Sequence, residues 1–316
     1  MALERSDFIW MNGQWVAWED AKIHILSHVV HYGSSLFEGI RCYERPDGPG
    51  VFRLEEHIRR LVDSARIYRM DCRYSAEQLS RVCVEVIAKN GLKSAYLRPV
   101  IYRGYENLGV NPIGNPVDVA IAAFPWGQYL GPDSLDKGVA VCVSSWRRAA
   151  PDTFPSMAKA GGHYMNSQLM KTEAIANGYA EGIALDVHGW VSEGSGENLF
   201  LVYRGDLYTA PLSASILAGI TRESVITLAQ DLGLRVREEM IPREMLYCAD
   251  EAFFSGTAVE ITPITSVDRI PIADGQRGPV TRSLQKAFFD LVLGRVADAR
   301  SWFTPVGAAA HQPAKA

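Results

Sequence analysis

Lys159 is the residue of this sequence whose surroundings most favour covalent chemistry. The chain has eight lysines among its 316 residues, and the other seven lie in charged or polar sequence or in the tail. Lys159 instead lies in the short uncharged run from Ser156 to Gly162. Neighbours that exclude water favour the neutral form of an amine, which is a nucleophile. From these residues alone, a solvated loop lysine is an equally good interpretation.

A second candidate is the carboxylate of Glu193. This acid ends an apolar strand and is followed by Gly194 and Gly196. A carboxylate in that position lies beside exposed backbone, where it can contact a ligand or cap a turn. Taken alone, the turn is the better interpretation.

Two segments are candidate anion sites. Residues 217–221 open a predicted helix, whose first N–H groups and Thr221 hydroxyl can bind an anion. Residues 255–258 follow a strand and offer a similar group of N–H donors. Each signal is weak, because any helix start with a threonine looks like this. Neither segment matches the dinucleotide glycine fingerprint or the Walker phosphate loop, which disfavours nucleotide binding.

The run HYGSSLFEG, residues 31–39, places aromatic rings and an acid close together in the sequence. Its two glycines allow a turn that would bring Tyr32 and Phe37 to one place. Packing in the hydrophobic core is the commoner fate of such residues. The run is therefore a candidate ligand-binding segment with a structural alternative.

The overall composition limits the classes of protein. Hydrophobic residues make up 47% and charged residues 22%, which is typical of a folded globular chain. The formal net charge is -4. The densest basic stretches, Arg53 to Arg69 and Arg147-Arg148, are interrupted by acidic or apolar residues, and we interpret them as solvated surface. Nucleic-acid binding is therefore disfavoured.

Cysteine usage and the N-terminal sequence predict the compartment. The five cysteines are widely spaced and form no CxxC pair, which argues against disulfides and a zinc site. Glu4, Arg5 and Asp7 precede any apolar run, so no signal peptide is predicted. No stretch approaches the roughly 18–20 apolar residues of a membrane helix. We expect a cytoplasmic protein without a metal site or membrane contact.

Short strands and helices alternate in the first part of the chain. The pair Asn12-Gly13 is typical of a hairpin turn, and apolar residues at spacings of three and four indicate helices. Ser75 is a typical helix cap, and Asn90-Gly91 a typical stop. These signals predict a hairpin over 8–18, helices over 55–68 and 75–90, and strands over 95–102 and 117–124.

The second part of the chain continues this α+β pattern. His188-Gly189 is its clearest turn signal, and Gly233 ends one of its helices. The predicted elements are a strand over 139–144, a helix over 164–177, a hairpin over 182–193, strands over 199–202 and 251–255, and helices over 221–232 and 281–296.

The pattern predicts two domains. A small α/β domain covers residues 1–125, and a larger domain covers residues 138–303. Residues 126–137 mix glycine, proline, charge and two aromatic residues, which is typical of an interdomain loop or lid. Residues 304–316 are of low complexity, and we expect them to form a flexible tail.

Five stretches together resemble the fold-type IV aminotransferases that use pyridoxal 5′-phosphate, and among them the bacterial branched-chain amino acid aminotransferases. The resemblance spans most of the chain in the expected order. It implies an α+β fold with a small N-terminal α/β domain and a larger C-terminal domain around a mixed, barrel-like sheet. The stretches are HYGSSLFEGIRCY (31–43), MAKAGGHYMNS (157–167), GIALDVHGWVSEGSGENLF (182–200), LAGITRE (217–223) and FSGTAVEITPI (254–264).

The resemblance assigns the cofactor contacts residue by residue. Lys159 matches the lysine that bonds to the cofactor aldehyde, and Glu193 matches the acid that pairs with the pyridine nitrogen. Arg60 matches the phosphate-binding arginine, a role that suits a planar guanidinium. Tyr164 matches the tyrosine that hydrogen-bonds the phenolic oxygen. The remaining phosphate contacts match Ile220, Thr221 and Thr257.

The resemblance also implies a substrate site. Tyr96 and Arg98 alternate on one predicted strand, so both would face that site. Tyr96, Thr257 and the N–H of Ala258 match the groups that bind the α-carboxylate. Arg98 would meet the γ-carboxylate of glutamate. The other predicted substrate contacts, mostly an apolar wall for the side chain, are Tyr32, Phe37, Gly39, Trp126, Tyr129 and Tyr164.

The activity that the resemblance implies is reversible transamination of L-leucine, L-isoleucine or L-valine with 2-oxoglutarate, giving the branched-chain 2-oxo acid and L-glutamate. The alternatives on the same fold are a D-amino acid aminotransferase and an aminodeoxychorismate lyase. A non-catalytic protein of this fold would be a different class, and the presence of Lys159 and Glu193 argues against it. In this family a partner subunit completes the site, so we expect a homodimer at least, or a hexamer of three dimers.

Overall fold

The computed structural model describes residues 4–126, 130–131 and 133–307. These residues divide into two compact units. The domain limits expected from the sequence did not anticipate that the chain returns twice to the first unit. Unit 1 comprises residues 4–126, 158–162 and 290–307, and unit 2 comprises residues 130–131, 133–157 and 163–289.

The first part of the chain contributes ten elements to unit 1 within its described residues, besides a short 3₁₀ turn at Trp18–Asp20. In chain order they are β1 (Phe8–Met11), β2 (Gln14–Ala17), α1 (His28–Tyr32), β3 (Ser35–Phe37), β4 (Ile40–Tyr43), β5 (Gly50–Phe52), α2 (Leu54–Ile67), α3 (Ala76–Lys89), β6 (Ala95–Arg103) and β7 (Val117–Phe124).

The elements beyond residue 133 belong mostly to unit 2, with 3₁₀ turns at Gly161–His163 and Leu212–Ala214. In chain order they are α4 (Ser134–Lys137), β8 (Val139–Val143), α5 (Tyr164–Ala176), β9 (Glu181–Leu185), β10 (Val191–Gly194), β11 (Asn198–Tyr203), β12 (Asp206–Thr209), α6 (Ile220–Asp231), β13 (Val236–Glu238), α7 (Met245–Cys248), β14 (Glu251–Gly256), β15 (Glu260–Val267), β16 (Ile270–Pro271), α8 (Pro279–Val292) and β17 (Phe303–Pro305).

Unit 1 is built on an antiparallel sheet with the strand order β17-β5-β4-β6-β7-β1-β2, and β3 pairs with β6 beside that path. The hairpin β1–β2 turns at Asn12 and Gly13, whose φ angles are 50° and 93°. Positive φ at both positions is what a two-residue hairpin turn requires. The predicted hairpin is therefore confirmed.

Helices α2 and α3 cover this sheet with the apolar faces that their spacing predicted. Ile58, Leu61 and Ala65 of α2 are buried in one cluster with the strands. The α3 helix begins with a capping box, in which Ser75 Oγ accepts the N–H of Gln78 and the Gln78 side chain accepts the N–H of Ser75. Both predicted helices are thus confirmed, and α2 is the one that reaches the candidate site.

Unit 2 is built on a mixed sheet with the order β10-β9-β8-β15-β14-β11-β12-β13, and β16 pairs with β15. The pairs β15–β8, β8–β9 and β12–β13 are parallel, and the others are antiparallel. Phe200 and Phe253, opposite each other on β11 and β14, stack with ring centroids 5.1 Å apart. The expected α+β fold with a mixed sheet in the second part is confirmed.

The C-terminal part differs from the sequence-based expectation in two places. The last helix ends at Val292 rather than near residue 296, because Gly294 adopts a left-handed φ of 67°. Thr304 and Pro305 do not belong to a flexible tail, since β17 pairs with β5 and the Phe303 ring packs 5.2 Å from that of Phe52. The rest of the predicted tail, from residue 308, lies outside the described residues.

Candidate functional site

The backbone of Lys159 is fixed between β3 and α2 in unit 1. Phe37 N–H donates to the Lys159 carbonyl oxygen at 3.1 Å, and Lys159 N–H donates to Ser64 Oγ at 3.1 Å. A bridge between Leu36 and Ala160 continues this pairing. Both alanines that flank Lys159 are buried, while Lys159 itself is partly exposed. The segment is therefore a built part of unit 1 and not a solvated loop.

The ring of Phe37 brings the Lys159 amine and the Arg98 guanidinium together. Lys159 Nζ lies 5.1 Å from the centroid of that ring, and Arg98 Cζ lies 4.8 Å from it. Arg98 Cζ also lies 5.3 Å from the ring centroid of Tyr96, as the alternation along β6 predicted. Aromatic faces attract such cations. The Lys159 amine and the Arg98 guanidinium thus share one aromatic wall.

Aromatic rings continue this wall beyond Phe37. Trp126 packs on Tyr96 with ring centroids 4.6 Å apart, and Phe124 lies 5.9 Å from both rings. Gly39 is required here, because a Cβ at that position would overlap the Tyr96 hydroxyl. Tyr129, predicted for the same wall, lies outside the described residues.

Tyr32 is not packed into this wall within unit 1. Its ring lies 4.5 Å from that of His28 at the start of α1, and 44% of the residue is exposed. Its predicted contact with a substrate therefore stays a prediction.

Arg60 on α2 is held by a buried acid, Glu38. Arg60 Nε donates to Glu38 Oε1 at 2.6 Å, and Arg60 Nη2 donates to Oε2 at 2.8 Å. His57, three residues before Arg60, donates through Nδ1 to the same Oε2 at 2.8 Å. Glu38 is fully buried at 0% exposure. This buried triad fixes the guanidinium that the sequence predicts to bind phosphate.

The charge states of this triad follow from its geometry. Burial would raise the pKa of Glu38, but the Arg60 guanidinium and His57 outweigh it and hold the pKa well below its ordinary value. Burial lowers the pKa of His57, with Glu38 opposing and Arg60 and Lys159 adding to the shift. The triad therefore contains an ionised carboxylate and a neutral imidazole that donates through Nδ1.

Unit 2 contains the second buried acid, Glu193 at the end of β10. Arg148 Nη2 lies 3.1 Å from Glu193 Oε1. Glu193 Oε2 accepts hydrogen bonds from Asn198 Nδ2 at 3.0 Å and from the Leu217 N–H at 3.1 Å. Cationic and N–H partners stabilise a buried carboxylate. Glu193 is thus more than a turn cap, and its surroundings suit an acid that pairs with a protonated ring nitrogen.

The interpretation of Arg147-Arg148 as solvated surface was wrong for Arg148. Its side chain is 11% exposed. It also donates to the Gly194 carbonyl oxygen at 2.7 Å and to Ser167 Oγ at 3.1 Å. The charge of Arg148 is buried here because Glu193 and the carbonyl end of β10 compensate its lost hydration.

The first predicted anion site forms the start of α6. Ile220 and Thr221 are its first two residues, and both are buried. Asn198 joins this helix start to the buried acid, since its Nδ2 donates to both Glu193 Oε2 and the Leu217 carbonyl oxygen. A Cβ at Gly219 would overlap Asn198 Oδ1, so the glycine allows this approach.

The second predicted anion site follows β14. Thr257 and Ala258 come directly after Gly256, where an added Cβ would lie within 4 Å of residues 196 and 197. Ser255 Oγ is buried and, among the described residues, has no hydrogen-bond partner. Tyr164 is the first residue of α5 and is partly exposed, so its role also stays a prediction.

In each unit, considered separately, the residues described above are chemically suited to bind pyridoxal 5′-phosphate. Unit 1 supplies an amine and a fixed guanidinium, and unit 2 supplies a buried carboxylate, a helix N-terminus and the buried Ser255 hydroxyl. No cluster of acids, histidines and cysteines able to hold a metal ion was found among the described residues.

Sequence reasoning missed three residues of this site: Glu38, Arg148 and Asn198. Asn198 lies only five residues from Glu193, but the partners of Glu38 and Arg148 are distant along the chain. Glu38 and Arg60 are 22 residues apart, and Arg148 and Gly194 are 46 apart. No local periodicity signals such pairs, although a charged residue inside an apolar stretch is an indirect sign that a partner exists.

A further buried acid lies beside Glu193. Glu197 is 4% exposed, and its Oε2 accepts the N–H of Gly196 at 3.0 Å. Burial, together with the charge of Glu181, raises the pKa of Glu197 to about 8. Glu181 in turn pairs with Lys171, whose Nζ lies 2.9 Å from Glu181 Oε2.

Comparison with known proteins identifies the family to which this chain belongs. Residues 35–267 match the family described as amino-transferase class IV. A branched-chain-amino-acid aminotransferase of Salmonella typhimurium is 54% identical over 307 residues, covering 97% of this chain and 99% of that protein.

Solved structures agree with this match. The structure of Escherichia coli branched-chain amino acid aminotransferase is similar with a TM-score of 0.94 and 54% identity, covering 96% of this chain and 100% of that one. The branched-chain amino acid aminotransferase from Thermobaculum terrenum in its PLP-bound holo-form has a TM-score of 0.90 and 34% identity, with the same coverage.

We predict that Glu197 makes the stability of the protein depend on pH. Its pKa rises from 4.5 to about 8 on folding, so between these values the folded chain holds a proton that the unfolded chain releases. The unfolding free energy contributed by Glu197 therefore falls as pH rises through this range. The unfolding free energy of Glu197→Gln, relative to that of the unsubstituted protein, should therefore increase by roughly 1–3 kcal/mol as the pH rises from 5 to 9.

Denaturant unfolding at several pH values measures this difference. Glu55→Gln, at an exposed position of α2, is the matched control and should show no such gain. A constant difference between Glu197→Gln and the unsubstituted protein across the range would contradict the prediction.

Proposed function

Because the chain belongs to the class IV aminotransferase family, we propose that it is a branched-chain amino acid aminotransferase dependent on pyridoxal 5′-phosphate. The proposed reaction is reversible transamination of L-leucine, L-isoleucine or L-valine with 2-oxoglutarate. The observation that carries the proposal is the Phe37 ring, against which both Lys159 Nζ and the Arg98 guanidinium lie. This arrangement supports a site that reacts at an amine and accepts either an apolar or an acidic side chain.

Lys159 is the proposed catalytic residue. Bound pyridoxal 5′-phosphate supplies an aldehyde that bonds to amines and a ring that withdraws electrons from the substrate Cα. Lys159 Nζ removes the proton from Cα and delivers it to the neighbouring cofactor carbon, C4′. The hydrogen bonds from Phe37 and to Ser64 hold the Lys159 backbone while its side chain moves between these positions.

Glu193 has the complementary role in unit 2. Its carboxylate holds a proton on the pyridine nitrogen, which keeps the ring able to withdraw electrons. Arg148, Asn198 and the Leu217 N–H keep the carboxylate oriented. The phosphate contacts proposed for Arg60, Ile220, Thr221 and Thr257 and the phenolic-oxygen contact proposed for Tyr164 complete the cofactor site.

The substrate site combines an apolar wall with one cation. Tyr96, Thr257 and the Ala258 N–H bind the α-carboxylate in this proposal, and the branched side chain lies against Phe37 and the other aromatic residues. Arg98 Nε is buried without a hydrogen-bond partner among the described residues. Buried donors are normally satisfied. A γ-carboxylate of glutamate or 2-oxoglutarate is a ligand that would satisfy this one.

We also propose that two copies of the chain form a dimer. A patch of exposed apolar side chains on unit 1 supports a second copy as the partner, because monomeric proteins seldom expose such patches. The patch is formed by two segments, residues 23–32 and 105–113. Hydrogen bonds from His28 to the carbonyl oxygens of Gly104 and Gly109 hold these segments together. This dimer patch consists of Ile23, Ile25, Leu26, Val30, Tyr32, Tyr105, Leu108, Val110 and Ile113.

Tyr32 explains why the partner matters for the reaction. It belongs to the dimer patch and is also a proposed substrate contact, yet nearly half of it is exposed in a single chain. The proposed dimer would place such a residue in the partner's site. The hexamer and the cytoplasmic location remain further predictions from the sequence.

The proposed activity predicts a clear preference among amino acids. The purified protein with pyridoxal 5′-phosphate should transfer the amino group of L-leucine to 2-oxoglutarate, with little activity on D-alanine. Lys159→Ala should lower turnover at least about 1,000-fold, since it removes the group that moves the proton. Product analysis by chromatography measures both rates.

Lys93→Ala is the matched control, because Lys93 is an exposed lysine of unit 1 that pairs with Glu44. It should retain full activity. A preference for D-alanine would instead support the D-amino acid aminotransferase, and substantial turnover by Lys159→Ala would refute the role of Lys159.

The position of Arg98 predicts an effect that depends on the substrate. Arg98→Met should raise the barrier of the glutamate half-reaction by roughly 2–4 kcal/mol, because the γ-carboxylate is left unpaired. The leucine half-reaction should change far less. Single-turnover rates with each amino acid measure the two effects. Arg45→Met, which removes another guanidinium stacked on an aromatic ring, controls for lost packing, and an equal loss for both substrates at Arg98 would indicate a structural role.

The dimer patch predicts a substitution that separates the subunits. Val110 is 82% exposed, so a charge is tolerated in the single chain but would be buried in the dimer. Val110→Glu should shift the protein toward monomers and lower its activity, as measured by light scattering and the leucine assay. Val296→Glu, at another exposed valine of unit 1, should do neither. An unsubstituted protein that is active as a monomer would contradict the dimer.

A further inference from the structure

Glu38 is fully buried, and the function proposed above gives it no part in the reaction. We propose that Glu38 is a positioning residue, whose carboxylate sets the direction of the Arg60 guanidinium for binding the cofactor phosphate. The inference rests on the proposed role of Arg60. The inference goes beyond that role, because it makes the affinity for phosphate depend on Glu38 as well as on Arg60.

The contact between the two side chains is a fork. Nε and Nη2 of Arg60 donate to different oxygens of Glu38, at 2.6 and 2.8 Å. Two parallel hydrogen bonds fix both the plane and the direction of a guanidinium, whereas one bond leaves it free to rotate. The fork occupies one edge of the guanidinium and thereby directs its outer edge, with Nη1, away from Glu38.

The surroundings of Glu38 fix the acid itself. Its N–H donates to the Pro99 carbonyl oxygen on β6 at 2.9 Å, and its Oε2 accepts Nδ1–H of His57. His57, Arg60 and Ser64 follow one face of α2 at spacings of three and four residues. Ser64 also holds the Lys159 backbone. One helix face therefore positions the catalytic lysine and, through Glu38, the proposed phosphate ligand.

If charge alone mattered, removal of the Glu38 carboxylate would strengthen phosphate binding, not weaken it. A carboxylate beside Arg60 reduces the attraction of the guanidinium for a phosphate, so its removal would strengthen binding if orientation did not matter. Loss of orientation would weaken binding. The two explanations differ in sign, which makes the neutral substitution Glu38→Gln decisive.

The experiment compares two ligands that differ only in the phosphate. Dissociation constants of pyridoxal 5′-phosphate and of pyridoxal are measured by absorbance on the full-length chain after removal of cofactor. Glu38→Gln should weaken pyridoxal 5′-phosphate binding about 10- to 100-fold and change pyridoxal binding little. Unchanged or tighter binding of pyridoxal 5′-phosphate would overturn the proposal, as would an equal loss for both ligands.

Glu56→Gln is the matched control. It lies on the same helix and breaks a similar ion pair, in which Arg53 Nε lies 2.6 Å from Glu56 Oε1. It should affect neither ligand, and a loss as large as that of Glu38→Gln would show that only helix stability is at issue.

Two substitutions of Arg60 separate this inference from the proposed function. Arg60→Gln should abolish most of the preference for the phosphorylated ligand, and if it does not, the role of Arg60 itself fails. Arg60→Lys keeps the charge but cannot form the fork. It should lose phosphate affinity like Glu38→Gln, and it provides the test if Glu38→Gln does not fold. A lysine that preserved the affinity would overturn the role of Glu38.

Discussion

A carboxylate that leaves water costs several kcal/mol unless cations and N–H groups surround it, and each unit of this protein contains one at its candidate site. Glu38 in unit 1 is satisfied by Arg60 and His57. Glu193 in unit 2 is satisfied by Arg148, Asn198 and the Leu217 N–H. The elements around both acids, α2 and the start of α6, are arranged to meet this requirement. Three of the four residues proposed to bind phosphate, Arg60, Ile220 and Thr221, lie on those same elements.

The two units contribute different chemistry. Unit 1 contains the amine of Lys159 and an aromatic wall with one guanidinium, while unit 2 contains the buried carboxylate of Glu193 and the N-terminus of α6. Glycines make close approaches possible in both, since side chains at Gly39 and Gly219 would overlap Tyr96 and Asn198. The five motifs of the sequence are therefore distributed over two separately built units.

The local elements of the fold were largely predictable. The Asn12-Gly13 hairpin, the apolar face of α2 and the Ser75 cap of α3 depend on residues within a few positions of each other, and all three are present as predicted. The prediction failed where a distant partner decides the structure. Phe303 and the following residues form a strand only because β5 offers an open edge and an aromatic ring.

The same distinction holds for the candidate site. By itself the sequence offered Lys159, Glu193 and the two anion segments as candidates, and the resemblance of five motifs to one family, rather than the neighbours of each residue, assigned their roles. Only the tertiary structure decided that Arg148 is buried beside Glu193, that Glu38 forks with Arg60, and that Lys159 belongs to unit 1. Each of these contacts joins strands and helices far apart along the chain. Burial then makes the pairing obligatory, since an unpaired charge is too costly away from water.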